Sequence, residues 1–283
     1  MNVILGAAII LACLAIGFLA SGGNLLALWQ PYELLIIGGA AFGALMISNP
    51  MKITLGVLKS TGALLRRSPY NKQLHLELLA LLFDLFTKMR REGMLAIESD
   101  IDDPASSPVF AKYEMVTRIP GAVEFITDYL RVMMIGSIAG HELEALIDAE
   151  LEALHNEASQ VPGAISRVAD ALPGFGIVAA VLGIVITMSH IGGPPEELGK
   201  HVGAALVGSF LGILAAYGFA GPTASLLEHK NRDEAKFFEC IKAALIATLN
   251  GAAPQIAVEF GRKVLYPETR PTWAEVDERM RQR

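Results

Sequence analysis

Charge is missing from four stretches of this 283-residue chain: residues 3–20, 34–48, 172–191 and 202–227 contain no Asp, Glu, Lys or Arg. An uncharged helix of about 20 residues crosses a hydrocarbon core of ~30 Å at 1.5 Å per residue. The stretch 34–48 is short and marginal by itself. Cysteine is nearly absent, with only Cys13 and Cys240, which excludes a disulfide framework and a paired-cysteine metal site. Period-two alternation is missing, so no sheet is expected. The sequence has no H-E-x-x-H, P-loop or zinc pattern. Ser209 with His190 or His201 is the one conceivable nucleophilic dyad, but Ser209 lacks a nucleophile motif, and the chain is not expected to be an enzyme. The net charge of −6 argues against a nucleic-acid partner.

Positive charge is also unevenly missing. Of 23 Lys and Arg, twelve fall in residues 50–170 and ten in 228–283, leaving only Lys200. Positive residues stay on the cytoplasmic side. Four spans with both termini and the long middle segment in the cytoplasm satisfy that count. The fold class expected is an all-α integral membrane protein, with four transmembrane helices and a helical cytoplasmic domain. Its parts are spans 1 and 2 (1–49), a cytoplasmic helical domain (50–170), spans 3 and 4 (171–227) and C-terminal cytoplasmic helices (228–283). Residues 3–20 have no preceding Lys or Arg and no clear cleavage site, so they read as a retained span. Lys52, Lys59, Arg66 and Arg67 are placed to meet anionic head groups.

What is present is smallness. Ala204, Gly208, Gly212, Ala216 and Ala220 recur every four residues and fall in one strip of the fourth span. Small residues let helix backbones approach closely, so a neighbouring helix, including one from a partner, is expected there. The third span echoes the strip with Gly176, Ala179, Ala180 and Gly183. Pro173 and Pro222 sit near the cytoplasmic limits of the two spans, either as hinges or as markers of helix ends. If the prolines are level, Thr187 and Ser209 share one depth, roughly 20 Å up. Their hydroxyls either line a polar path or bond their own helix carbonyls. Glu33 stands either at the outer mouth of a path or simply in solvent, and the second is expected. With no carboxylate in the spans, a proton carrier would have to come from a partner helix packed on the strip.

In the middle segment, residues 71–94 form an amphipathic helix with Leu74, Leu78, Leu81, Leu82 and Leu85 on one face and Gly93 as its stop. Lys88, Arg90, Arg91 and Glu92, followed by Glu98, Asp100, Asp102 and Asp103, make either a docking surface or an ordinary solvated helix end. Helices are expected over 123–138 and 141–159, the second turning Leu143, Leu146, Ile147, Leu151 and Leu154 inward and ending at Pro162–Gly163. Asn250–Gly251 ends the extension of the fourth span. Thr272-Trp273-Ala274-Glu275 is a capping box that opens a last helix.

The runs QPYELLIIGGA from Gln30, KMRREGM to Met94, LPGFGIVAAVLGIV from Leu172, VGSFLGILAAYGFAGP to Pro222 and PQIAVEFGRKVLY from Pro254 closely resemble the MotA family of flagellar stator subunits, within the MotA/TolQ/ExbB proton channel group. The resemblance covers essentially the whole chain. It implies a multi-pass protein of the bacterial inner membrane, five copies around a MotB dimer. MotB would supply a membrane aspartate, and the ring would turn the rotor through FliG. Carried over by position, Pro173, Pro222 and Ala180 match the family's conformational and path-lining residues, and Arg90 and Glu98 its rotor contacts. Ser209 stands where proton-driven relatives commonly have threonine. The pair Gly208–Ser209 resembles the proton type, so protons are the expected coupling ion and no cofactor or metal is implied. The alternatives are a sodium-driven stator of the same family and a TonB-type energiser of the ExbB or TolQ kind, which usually has three spans and a different tail.

Overall fold

Unbroken apolar length decides where this chain enters the membrane. The computed structural model of the protein describes residues 2–64, 68–136, 138–192 and 194–281. No strand occurs among them, and four helices are long and apolar enough to cross a membrane. The head-group contact expected of Arg66 and Arg67 lies outside the described residues. The chain divides into two units, Met1–Arg67 with Ala158–His229, and Ser68–Glu157 with Lys230–Arg283.

In the first unit, α1 (Asn2–Ala20) is apolar on every side and exposes Ile4, Leu5, Ile9 and Ile16, the pattern of a helix whose solvent is lipid. Helix α2 (Pro31–Ser48) starts on its proline, which has no N–H to leave unpaired. Its buried residues are Glu33, Ile37, Ala41 and Leu45. Their spacing of four makes one stripe, and Asn49 prolongs it. The Asn49 side-chain carbonyl accepts a 2.8 Å bond from Arg167, and its amide donates to the Leu45 carbonyl at 2.9 Å. Helix α3 (Met51–Leu64) packs Val57 and Leu64 around Ile165, Ala224 and Leu227. The first unit therefore runs past residue 50 and takes in α3. Val57 and Leu64 hold this helix within the first unit.

The second unit is built around α4 (Lys72–Glu92), which buries eleven of its residues, Leu74, Leu78, Leu81, Leu82 and Leu85 each at 1% exposure or less. The Asn71 side chain caps it by accepting the Leu74 N–H at 3.0 Å. Gly93 ends it at φ 91°, a conformation that favours glycine. Short helices α5 (Glu98–Asp102) and α6 (Glu114–Thr117) lead to α7 (Ala122–Ile135).

Helix α8 runs from Gly140 to Ser189 and carries residues of both units. The expected break at Pro162–Gly163 does not occur: Pro162 and Pro173 both lie inside the helix. Each removes a backbone bond, at a cost of about 3 kcal/mol in an isolated helix. Packing on either side offsets it, with Ala164, Ile165, Ala169 and Leu172 all buried. Of the five residues expected inward on its first half, Leu143 and Ile147 are fully buried, while Leu146 and Leu154 stay 47% and 41% exposed.

The fourth span is α9 (Pro195–Ile213), a π-helical segment at Leu214–Ala220, and α10 (Gly221–Leu249). Gly251, at φ 83°, ends it as expected. Helices α11 (Pro254–Val264) and α12 (Trp273–Arg281) pack on α4. The capping box is formed: the Thr272 N–H donates to Glu275 at 2.6 Å, and the Glu275 N–H returns to the Thr272 hydroxyl at 3.3 Å. The Lys72 ammonium at 2.7 Å, together with these bonds, holds the Glu275 carboxyl at about 2.

Candidate ion-path wall

Helices α8 and α9 are joined by a turn of a few residues and meet with almost nothing between their backbones. A Cβ on Gly176 would stand 2.9 Å from the Gly208 carbonyl oxygen and 3.3 Å from the Ser209 Cα. One on Gly183 would stand 2.8 Å from the Ala205 Cβ, and one on Gly212 would stand 2.7 Å from the Leu172 carbonyl oxygen. Only glycine fits such positions without a backbone shift. Stepping seven residues along one helix matches seven along the other, so the pair is antiparallel and in register over two turns.

That register answers several expectations. Gly208, Gly212 and Ala216 are buried. Gly208 and Gly212 face α8 of the same chain, and Ala216 packs with Ile37, Ala41, Leu172 and Ala179 of α2 and α8. A partner's helix therefore does not occupy this part of the strip, which is a correction. Close backbone approach serves the chain's own third span first. Ala204, toward the α8–α9 turn, is half-buried and lines a separate cavity.

Thr187 and Ser209 are not level, which is a second correction. Gly208 stands against Ala179 and Ala180, so Ser209 is level with about residue 179, and Thr187 is eight residues farther along α8, roughly 12 Å at the helical rise. The premise of level prolines fails for the same reason. Pro173 follows Leu172, which faces Gly212, and Pro222 is ten residues beyond Gly212 on the other side of the π segment. Thr187 is buried and donates its hydroxyl to the Gly183 carbonyl at 2.8 Å, so it is committed to its own helix. Ser209 is half-buried and makes no such bond among the described residues. Ala180 is half-buried beside Gly208, its backbone nitrogen 3.3 Å from that glycine's Cβ position.

The π segment is a feature the sequence reading missed. The Gly221 N–H bonds to the Ala216 carbonyl, five residues back. Pro222 follows immediately and has no N–H to continue the ladder. Wide turns of this kind are costly and frequent at functional positions. The only signal in the sequence was Gly218, Gly221 and Pro222 close together.

Glu33 is the second miss. It lies in the first turn of α2 and is 8% exposed, not solvated. Its Oε2 atom has no hydrogen-bond partner and stands 3.0 Å from the Cβ position of Gly208. The statement that no span contains a carboxylate is therefore corrected. The signal was present: Glu33 precedes Ile37, Ala41 and Leu45 at the same spacing of four.

The histidines form no dyad with Ser209. His190 and His201 stack on each other across the turn between α8 and α9, ring centroids 5.2 Å apart, and the His190 ring also meets the Ile186 carbonyl at 2.9 Å. Among the described residues no cluster suits a metal ion.

In the second unit, Arg90 lies exposed in the last turn of α4 and Glu98 exposed at the start of α5. The rest of the charge cluster is partly internal. Lys88 meets Asp100 at 2.7 Å, Asp100 is 2% exposed, and the Ser107 hydroxyl donates to Asp100 at 2.6 Å. That buried pair fastens α4 to α5 and leaves Arg90 and Glu98 outside any ion pair among the described residues.

Comparison with known proteins agrees with this architecture. Residues 4–93 match the family Motility protein A N-terminal, and residues 122–240 match the MotA/TolQ/ExbB proton channel family. Motility protein A of Salmonella typhimurium is 43% identical over 281 residues, covering 99% of this chain and 95% of that protein. The solved MotAB of C. jejuni shares the fold with a TM-score of 0.79 at 21% identity, over 96% of this chain and 98% of that one. The flagellar MotAB stator complex of Bacillus subtilis aligns with a TM-score of 0.72 at 25% identity, over 90% and 92%. Four spans, a wall of facing glycines and identity sustained from end to end lead to one assignment: this chain belongs to the Motility protein A family.

Proposed function

We propose that the chain is the MotA-type subunit of a proton-driven flagellar stator, in the bacterial inner membrane with both termini cytoplasmic. Five copies surround a dimer of a MotB-type partner, whose membrane helix carries the aspartate that binds the coupling proton. No catalysis, cofactor, metal or nucleic acid enters this reading. The observation that carries it is the wall itself: two spans in backbone contact at Gly176 and Gly212, with weak points at Pro173 and at the π segment before Pro222. Relatives named for motility over the whole length support the same reading.

The mechanism follows from charge. An ionised carboxylate on a partner helix is held by water and dipoles at the mouth of the path. Protonation removes that cost, and the partner helix settles differently against Ala180 and Ser209. One charge crossing 100 mV supplies about 2.3 kcal/mol, enough to bias a two-state element separated by a similar amount. Pro173 and Pro222 let α8 and the fourth span bend without breaking further hydrogen bonds. Arg90 and Glu98 meet charges of the opposite sign on the rotor protein FliG. The pair Gly208–Ser209 offers few oxygen ligands for a dehydrated sodium ion, which favours the proton.

The test is acid flux into cells that co-express this chain with a MotB-type partner lacking its periplasmic plug, with and without the partner's membrane aspartate. Acidification that needs the aspartate is expected. Flux that ignores the aspartate, or that tracks sodium at constant pH, would overturn the reading.

A further inference from the structure

Glu33 is unlike every other carboxylate of the chain. It lies within a candidate span, it is 8% exposed, and its Oε2 is buried without a hydrogen-bond partner. Its neighbours are the smallest the wall contains. Gly208 leaves the room it occupies, since a Cβ there would approach Oε2 to 3.0 Å, the Ala179 Cβ to 3.2 Å and the Ala180 nitrogen to 3.3 Å. Neither α8 nor α9 sets a titratable side chain against it at this level. On its own helix the next titratable group, Tyr32, is 78% exposed. Farther along α9 toward the turn, Lys200 pairs with Glu196 at 3.1 Å, and the His201 ring stacks on His190. Among the described residues no cation forms an ion pair with Glu33.

An uncompensated carboxylate in a membrane interior is expensive as an anion and persists where it serves ion traffic. A cavity lies close to Glu33 in sequence on both helices that flank it. A cavity of about 1040 Å³ between α1 and α9 is lined by Phe18, Gln30, Lys200, Ala204, Val207 and Phe210. Gln30 is one turn before Glu33, and Val207 adjoins Gly208.

We propose that Glu33 is a proton-binding site of the ion path, a carboxyl held between the outer cavity and the Gly208–Ala180 wall. The inference rests on the stator reading above. A proton from the outer solution adds to the Glu33 carboxylate and gives a neutral carboxyl. That carboxyl passes the proton to the acidic side chain of the partner helix, returns to the anion, and is reloaded from outside. Net transfer is one proton, and no other bond changes. Gly208 is the position that admits the carboxyl, so its side-chain-free strip serves proton access as well as helix packing.

The experiment uses the full chain with the plugless MotB-type partner, measuring proton flux over a series of outer pH at constant driving force. Glu33→Gln is nearly isosteric with the protonated form and is expected to assemble at the wild-type level. Its flux should fall roughly tenfold, below the usual contribution of a positioned proton-transfer group, and should no longer respond to outer pH. Glu33→Asp should restore the pH response. Wild-type flux with an unchanged pH profile in Glu33→Gln, while the partner's aspartate remains essential, overturns this inference and leaves the stator reading intact. Loss of aspartate dependence in the wild type overturns the stator reading. Infrared difference spectra of the purified full chain decide the site without flux or the Gln variant. A protonated-carboxyl stretching band that shifts in Glu33→Asp supports the site, and a spectrum without such a shift overturns it.

Discussion

Gly212 and Gly176 face each other so closely that a Cβ on Gly212 would stand 2.8 Å from the Gly176 Cα. The spans touch backbone to backbone, and no side chain can yield to make room. Gly212→Ala is therefore expected to cost about 1–3 kcal/mol, the usual range for overpacking, and to abolish swimming. Gly39→Ala is the control, because nothing lies within 4 Å of its Cβ position. Thermal unfolding of the purified complex and swarm diameter check both. A motile Gly212→Ala strain with wild-type stability would remove the close-packed wall from the account.

Arg90 protrudes from a helix end fixed by the buried Lys88–Asp100 pair. Arg90→Glu should leave the membrane level and the proton flux of the complex unchanged while torque on a tethered cell drops steeply. The buried neighbour behaves differently: Asp100→Ala strands the Lys88 ammonium and the Ser107 hydroxyl, and should reduce the amount of folded protein. Wild-type torque in the Arg90→Glu strain would count against the rotor contact.

Arg262 is a structural cation. It is 8% exposed, holds Glu259 through bonds of 2.6 and 2.7 Å, and donates to the Pro271 carbonyl at 2.9 Å. These bonds keep the Glu259 carboxyl below its usual range. Arg262→Ala should destabilise the second unit by about 3 kcal/mol, the scale of breaking a buried pair. Arg262→Lys should recover only part, because one ammonium cannot make the forked contact. Denaturant midpoints of the three proteins measure it.

His75 gives the second unit a pH limit. It is 2% exposed, its Nδ1–H donates to the Thr269 carbonyl at 3.1 Å, and its Nε2 has no partner. Burial pushes its pKa below the ordinary 6.5. The unfolded chain therefore takes up a proton at a higher pH than the folded one. Stability is fully present above 6.5 and is lost as the pH falls from there through the lowered folded value. His75→Gln should flatten that part of the curve of melting temperature against pH. The same slope in both proteins would show that another group is responsible.

Helix α4 was legible because its apolar period, its Asn71 cap and its Gly93 stop are local codes. The same holds for the capping box at Thr272 and Glu275, and for the strip at Ala204, Gly208, Gly212 and Ala216. Other features were not local. Pro162–Gly163 read as a break, since the packing of Ile165 against Ala224 and Leu227 that keeps the helix whole comes from the fourth span. Thr187 and Ser209 were given one depth from proline positions, but register is set by which glycines meet.

The sequence by itself determined the membrane class, the four spans, the family and the residues small enough to build a wall, because hydrophobic length and side-chain volume are properties of each residue in place. Only the tertiary structure decided what the wall faces. The strip closes on its own third span, the π turn precedes Pro222, and Glu33 stands buried against Gly208. Gly176 and Gly212 meet across 36 residues of chain and Glu33 and Gly208 across 175, the π turn depends on the balance of hydrogen bonds after packing, and no local pattern encodes such meetings.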